Sequence, residues 1–125
     1  MSITPILSPD APAPSGGYSQ AIVADRFLFL SGQGPFTPDG VLVADSIESQ
    51  VRQVFANLDA VARAAGGSLR SVVRVAVYLS SLAHFDEMDR VYRELLGEPR
   101  PARTTIQSDL LGFDVEADAV VLLDR

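Results

Sequence analysis

The sequence predicts one α/β (α+β) domain spanning residues 1–125, in which a mixed sheet carries two helices on one face. Three observations lead there. Apolar residues alternate between period 2 and period 3.6 along the chain, in the order ββ-α-β-α-ββ. Both helical stretches are apolar on one stripe only. The strand between them is apolar on both sides, so both faces of the sheet call for cover.

The elements follow in order. Residues 8–17 read SPDAPAPSGG; their three prolines and two glycines predict an irregular entry loop, with room for a short strand before Pro9. Gln20 to Ala24 and Phe27 to Leu30 predict a hairpin turning at Asp25-Arg26. Ser31-Gly32-Gln33-Gly34-Pro35 ends the second strand, and Thr37-Pro38-Asp39-Gly40 is a turn. Ile47, Val51, Val54, Phe55, Leu58, Val61, Ala62 and Ala65 mark one helix face. Asp45 is its expected N-cap, with Glu48 three residues on, and Gly66-Gly67 stops it. Ser71 to Leu79 is a buried strand, with Val73, Val75, Val77 and Leu79 on one side. Val72, Ala76 and Tyr78 take the other side, with Arg74 among them. A second helix starts near Ser81, carries Phe85, Met88, Tyr92 and Leu95 as its apolar stripe, and closes at Gly97. Pro99 and Pro101 bracket a loop. Ala102 to Gln107 and Val115 to Leu122 are strands, separated by the Leu111-Gly112-Phe113-Asp114 turn. Val72, Ala76, Val120 and Leu122 do not suit water, so a partner subunit is the simplest cover for the face away from the helices.

Composition removes much chemistry. The chain has no cysteine, and its ten basic residues are all arginine. Disulfides, thiolate metal sites and cysteine nucleophiles are excluded, and so are lysine Schiff bases. One histidine, His84, cannot assemble a multi-histidine metal site and reads as a surface or capping residue. No organic cofactor or metal is expected. The net charge of −6 runs against nucleic-acid binding. No apolar run approaches the ~18 residues of a membrane span. A soluble cytoplasmic protein is the expectation.

Several residues carry candidate chemistry. Arg103 opens a strand after a proline loop, and a guanidinium there suits two-point binding of a carboxylate; the plainer reading is a structural ion pair. Glu116 and Asp118 share one sheet face by period 2. A carboxylate in so apolar a strand tends to a raised pKa, which suits general acid–base work, although a solvated edge explains it as well. Tyr18, after Gly16-Gly17, walls a pocket or plugs the core. Gly32 and Gly34 allow close backbone approach at a strand end, without matching a phosphate-binding fingerprint.

Gly-Gly-Tyr18-Ser19-Gln20, Ser31-Gly32-Gln33, the helix with Gln53 and Asn57, Pro101-Ala102-Arg103 and Val115-Glu116-Ala117 occur together in this order and spacing. The chain thereby resembles the reactive-intermediate (enamine/imine) deaminase family, the YjgF/YER057c/UK114 family, over nearly its whole length. The resemblance implies a chorismate-mutase-like fold in a homotrimer, with sheets packed into a central barrel and clefts between subunits. It implies hydrolysis of 2-imino or enamine acids, such as 2-iminopropanoate and 2-iminobutanoate, to the keto acid and ammonia. Arg103 would bind the carboxylate and Glu116 would activate water, with Tyr18, Ser31 and Gly32 lining the pocket. Thr105 stands where many members have cysteine, Asp89 where many have asparagine, and Gly17 where proline is common. Thr105 and Asp89 thus become substrate-contacting positions that bear on specificity. A deaminase of another enamine (aminoacrylate or 2-aminomuconate) and a non-catalytic trimer holding small carboxylates are the competing readings. A ribonuclease is disfavoured by charge and by the lone histidine.

Overall fold

The structure, a computed structural model, describes residues 2–124. Six strands and two helices succeed one another as β1 (Ile3–Ile6), β2 (Ala21–Ala24), β3 (Phe27–Gln33), α1 (Ile47–Ala64), β4 (Val72–Leu79), α2 (Phe85–Leu95), β5 (Ala102–Gln107) and β6 (Val115–Leu122). They form one sheet in the order β1-β2-β3-β6-β4-β5. Every neighbouring pair is antiparallel except β4 and β5, which run parallel with α2 as their crossover. The short strand before Pro9 exists and forms one sheet edge. Among the described residues, no helix is long and apolar enough to cross a membrane.

The β2–β3 hairpin turns at Asp25-Arg26, as its sequence predicts. Ala24 pairs with Phe27, and Asp25 adopts φ 56°, a left-handed conformation that aspartate tolerates. Helix α1 is capped by Ser46 rather than by Asp45. Ser46 directly precedes the first helical residue, holds an extended φ of −160°, and its Oγ accepts from the Ser49 amide at 3.0 Å. The Ser49 hydroxyl in turn accepts from the Ser46 amide at 3.0 Å, so the reciprocal box uses serine in place of Glu48.

The core lies between the sheet and the two helices. From α1 it takes Val51, Val54, Phe55, Leu58 and Val61, and from α2 Met88, Val91 and Tyr92. Each fully buried aliphatic or aromatic side chain there contributes about 1.5–3 kcal/mol. The apolar stripe of α2 predicts Leu95 inward, yet it is exposed; Val91 and Leu96 are buried instead. The turn before α2 is a short 3-10 segment, Leu82–His84, capped by the Ser81 hydroxyl.

The strand β4 departs from simple alternation. A bulge between Val72 and Arg74 pairs them with consecutive β6 residues, Val121 and Val120. One extra residue reverses the facing of everything before it. Val72 therefore packs against the core and Val73 is exposed, the reverse of the expected sides. From Arg74 on, the pattern is as expected.

Strand β6 is central. Val115, Ala117, Ala119 and Val121 are buried under the helices, whereas Glu116, Asp118, Val120 and Leu122 face the other way. That open face is apolar in large part. Phe27, Phe29, Ile106 and Leu122 lie on it and are exposed, Phe29 at 49%. Ala76 and Val120 join them half-buried. The uncovered sheet face expected from sequence is present, with Val72 removed from it.

The start of β6 is clamped to α1. The buried Gln50 side chain donates to Asp114 Oδ2 at 3.0 Å and accepts from the Asp114 amide at 2.8 Å. Ser80 donates to Asp114 Oδ1 at 2.7 Å. The Ser80 bond, then the Gln50 bond, hold the Asp114 carboxyl below its ordinary value. A depressed carboxyl stabilises the fold above its unfolded pKa and loses that contribution as pH falls. Replacing Gln50 with alanine removes both bonds and strands a backbone amide, at a cost of about 2 kcal/mol. Urea unfolding at neutral pH should show that loss. As pH falls through the lowered pKa of folded Asp114, the difference between wild type and variant should shrink.

Candidate active site

Arg103 lies on β5, the sheet edge opposite β1, and pairs with buried Val75, which places it on the helix side. Three residues of α2 meet it at helical spacing i, i+4 and i+7. Asp89 Oδ1 accepts from Arg103 Nη1 at 2.7 Å. The guanidinium carbon sits 4.6 Å from the Tyr92 ring centroid and 5.4 Å from that of Phe85. Stacking and one ion pair fix the plane of the group. Asp89 Oδ2 also accepts from Arg93 Nε at 2.9 Å. The Arg103 hydrogen bond above all, with help from Arg93, holds the Asp89 carboxyl below its ordinary value, although partial burial pulls the other way.

A groove of about 440 Å³ opens over this cluster, lined by Asp89, Tyr92, Arg93, Glu98, Arg100 and Arg103 together with Pro101. Two hydroxyls nearby are buried without a partner among the described residues, Tyr92 Oη and Thr105 Oγ1. Thr105 is two residues from Arg103, on the same face of β5. A buried hydroxyl with no bond costs about 1–3 kcal/mol, and of the two residues Tyr92 lines the groove beside Arg103. A second groove of about 570 Å³ lies between α1 and the α2–β5 loop. Two of its arginines, Arg52 and Arg63, are engaged with Glu48, Glu94 and Asp59, and Tyr92, which lines the smaller groove, does not line it. We place the site at the smaller groove for that reason.

Glu116 belongs to a second cluster. It faces the open side of β6, opposite Tyr78. Burial first, then the neighbouring Asp118 charge, pushes its pKa above the ordinary 4.5. Asp118 is held by Tyr78, whose hydroxyl donates to Oδ2 at 3.0 Å. Across the β3 bulge between Leu30 and Gln33, Gly32 lies under the Glu116 carboxylate. A Cβ on Gly32 would come 2.7 Å from Glu116 Oε2. Ser31 beside it donates to the Ser19 carbonyl at 2.6 Å. Tyr18 is exposed and folds onto its own loop, where its hydroxyl accepts from the Ser15 amide at 3.1 Å.

The chain thus brings Arg103, Asp89 and Thr105 together, and separately Glu116, Gly32 and Ser31. It does not bring Arg103 to Glu116. They stand on opposite faces, with β4 between their strands, so the strands alone are about 10 Å apart. Gln53 and Asn57 tie α1 to the loop after β3. Gln53 donates to Asn57, which donates to the Phe36 carbonyl at 2.8 Å. His84 sits 3.9 Å from Asp114 and makes no side-chain cap. No group of three His, Cys, Asp or Glu among the described residues could hold a metal ion. Sequence pattern marks Phe85 and Tyr92 as core residues only; the signal for their second role is their spacing around Asp89.

The Endoribonuclease L-PSP family model matches residues 8–123. The chain belongs to this family, in which the reactive-intermediate deaminases fall. It is 45% identical over 111 residues to a RutC family protein of Pyrococcus horikoshii, covering 88% of each chain. It is 40% identical over 109 residues to the chloroplastic Reactive Intermediate Deaminase A of Arabidopsis thaliana, covering 86% of this chain and 58% of that one. The crystal structure of RidA from the Antarctic bacterium Psychrobacter sp. PAMC 21119 superposes with a TM-score of 0.91 at 35% identity, covering 96% and 99%. The α+β sheet with two helices is therefore this family's fold.

Gly32→Ala tests the closeness of Gly32 to Glu116. The added methyl must displace the carboxylate, the flexible end of a side chain, so the fold should persist. Thermal melting should move by less than about 1 kcal/mol equivalent, in the range of surface substitutions, while turnover in the assay below should fall steeply.

Proposed function

We propose that this protein is a cofactor-independent deaminase that hydrolyses 2-imino or enamine acids to a 2-keto acid and ammonia. The observation that carries the proposal is Arg103, half-buried, stacked on two rings and joined to Asp89 through one nitrogen. Its remaining donors suit a carboxylate. Membership of a family that includes a reactive intermediate deaminase supports the same reading. A 2-imino acid offers that carboxylate beside an electrophilic C=N. Glu116, with its raised pKa, takes a proton from water as the oxygen attacks the imine carbon. The proton passes to nitrogen and gives the carbinolamine; its hydroxyl proton then passes to the amino group as the C–N bond breaks, so ammonia leaves and the carbonyl forms. Tyr18, Ser31, Gly32 and Thr105 complete the pocket in this proposal.

Because Arg103 and Glu116 face opposite ways in one chain, the proposal requires a second copy to join them. A homotrimer with its open sheet faces turned inward supplies this, and the exposed Phe27, Phe29, Ile106 and Leu122 support it. Light scattering should give about three times the chain mass; a monomer would remove the shared site. A cytoplasmic setting is part of the same proposal, and a chain without cysteine fits a reducing compartment. The family takes its name from an endoribonuclease, but a net charge of −6 disfavours that activity here.

A coupled assay tests this, with threonine dehydratase generating 2-iminobutanoate in the presence of semicarbazide. Wild type should suppress semicarbazone formation. Glu116→Gln should lose about 10²–10⁴-fold in turnover while still binding 2-oxobutanoate. Arg103→Ala should lose that binding. Glu116 acts deprotonated, so wild-type activity should fall as pH drops through its raised pKa. Suppression that survives Glu116→Gln unchanged would favour a non-catalytic carboxylate-binding role, and no suppression by wild type would favour a larger enamine.

A further inference from the structure

The groove over Arg103 is lined by three arginines and two carboxylates, which leaves one formal positive charge. The distribution matters more than the sum. Arg100 is turned to the end of α2: its Nη1 donates to the Arg93 carbonyl at 2.9 Å and to that of Leu96, and its Nε lies 3.4 Å from Glu98. Arg93, largely exposed, spends its Nε on Asp89. Asp89 is therefore a fixed anion shared between two guanidinium groups, and its side chain and that of Arg103 are equally shielded, at 20% exposure each.

A carboxylate reaching the free edge of Arg103 uses the one uncompensated charge. A second carboxylate on the same ligand would face Asp89 with no cation left to balance it. The neutral donor that remains is the Tyr92 hydroxyl, buried and unpartnered among the described residues. It suits an uncharged acceptor such as a carbonyl or an imine nitrogen.

We propose that Asp89 is a specificity-determining residue that limits the Arg103 groove to ligands with a single carboxylate beside a neutral polar group. This rests on Arg103 being the carboxylate holder of the proposed function. Removing the charge at Asp89 frees one arginine equivalent for a second carboxylate.

Calorimetric titration of the intact protein with 2-oxobutanoate and with the dicarboxylate 2-oxoglutarate tests it. Wild type should prefer 2-oxobutanoate. Asp89→Asn should tighten both ligands, and 2-oxoglutarate, which brings a second charge, roughly tenfold more than 2-oxobutanoate, the worth of a partly screened unit charge a few Å away. Asp89→Glu, which keeps the charge, should retain the wild-type preference. If Asp89→Asn leaves the ratio of affinities unchanged, or weakens both ligands alike, Asp89 only props Arg103 and the inference is overturned. Arg103→Ala separates the two readings. Should that variant still bind 2-oxobutanoate like wild type, the assignment of Arg103 itself has failed. Should it lose both ligands while Asp89→Asn keeps the ratio, only the role of Asp89 has failed.

Discussion

The fold depends on where its last strand goes. β6 is made from the final stretch of the chain, yet it occupies the middle of the sheet, antiparallel to β3 on one side and β4 on the other. Without it the β1-β2-β3 meander and the parallel β4–β5 pair have no common edge, and α1 and α2 have no continuous floor. Insertion of a C-terminal strand between two earlier ones makes the decisive contacts non-local, so their closure entropy must be met before any of them contributes. The Gln50–Asp114–Ser80 clamp sits at the entry to this strand and sets its register from both α1 and the end of β4.

That register decides the chemistry of both faces. With Ala117 and Val115 beneath the helices, Glu116 and Asp118 must emerge on the open side. Two carboxylates then share a mostly apolar face, and burial there, with the nearby Asp118 charge, is what lifts Glu116. On the other side of the sheet the parallel pairing of β5 with β4 aims Arg103 at α2, where Phe85, Asp89 and Tyr92 await it at one-helix-face spacing. A guanidinium stacked on two rings keeps its charge and loses much of its rotational freedom, which suits an orienting group.

Period and punctuation in the sequence expose most of this. The two helices, the hairpin at Asp25 and the strands from Ala102 and Val115 follow from apolar spacing and turn residues. What escapes is decided by single residues against their neighbours. Ser46 wins the cap from Asp45 because position next to Ile47 matters more than acidity. One extra residue at Val73 reverses the start of β4, and periodicity cannot register an insertion that only pairing across strands defines. Leu95 loses its core place to Leu96 because α2 ends there and the chain extends. At the site, Arg103 and Glu116 are singled out only through resemblance, since the plain readings of an ion pair and a solvated edge fit them as well. That Asp89 binds Arg103 is not legible at all: fourteen residues separate them, and only the crossover from α2 into β5 brings them to 2.7 Å.

The division of the candidate site between two faces has a consequence for how this sheet is used. A monomer of this chain would leave a half-site on each side: a cation with orphan hydroxyls under the helices, and a perturbed carboxylate on a bare apolar surface. Each half is costly alone. Unfilled buried hydroxyls subtract from a marginal stability, and exposed phenylalanines forgo burial that only a covering surface would supply. In the proposed assembly, association over the open face would remove the second cost, and the same event would carry a partner's Glu116 towards Arg103. A ligand in the groove would then relieve part of the first cost, by giving the Tyr92 hydroxyl an acceptor. The residues that burden the isolated chain are those a shared cleft would put to work, which would tie the proposed assembly and the proposed catalysis to one set of interactions.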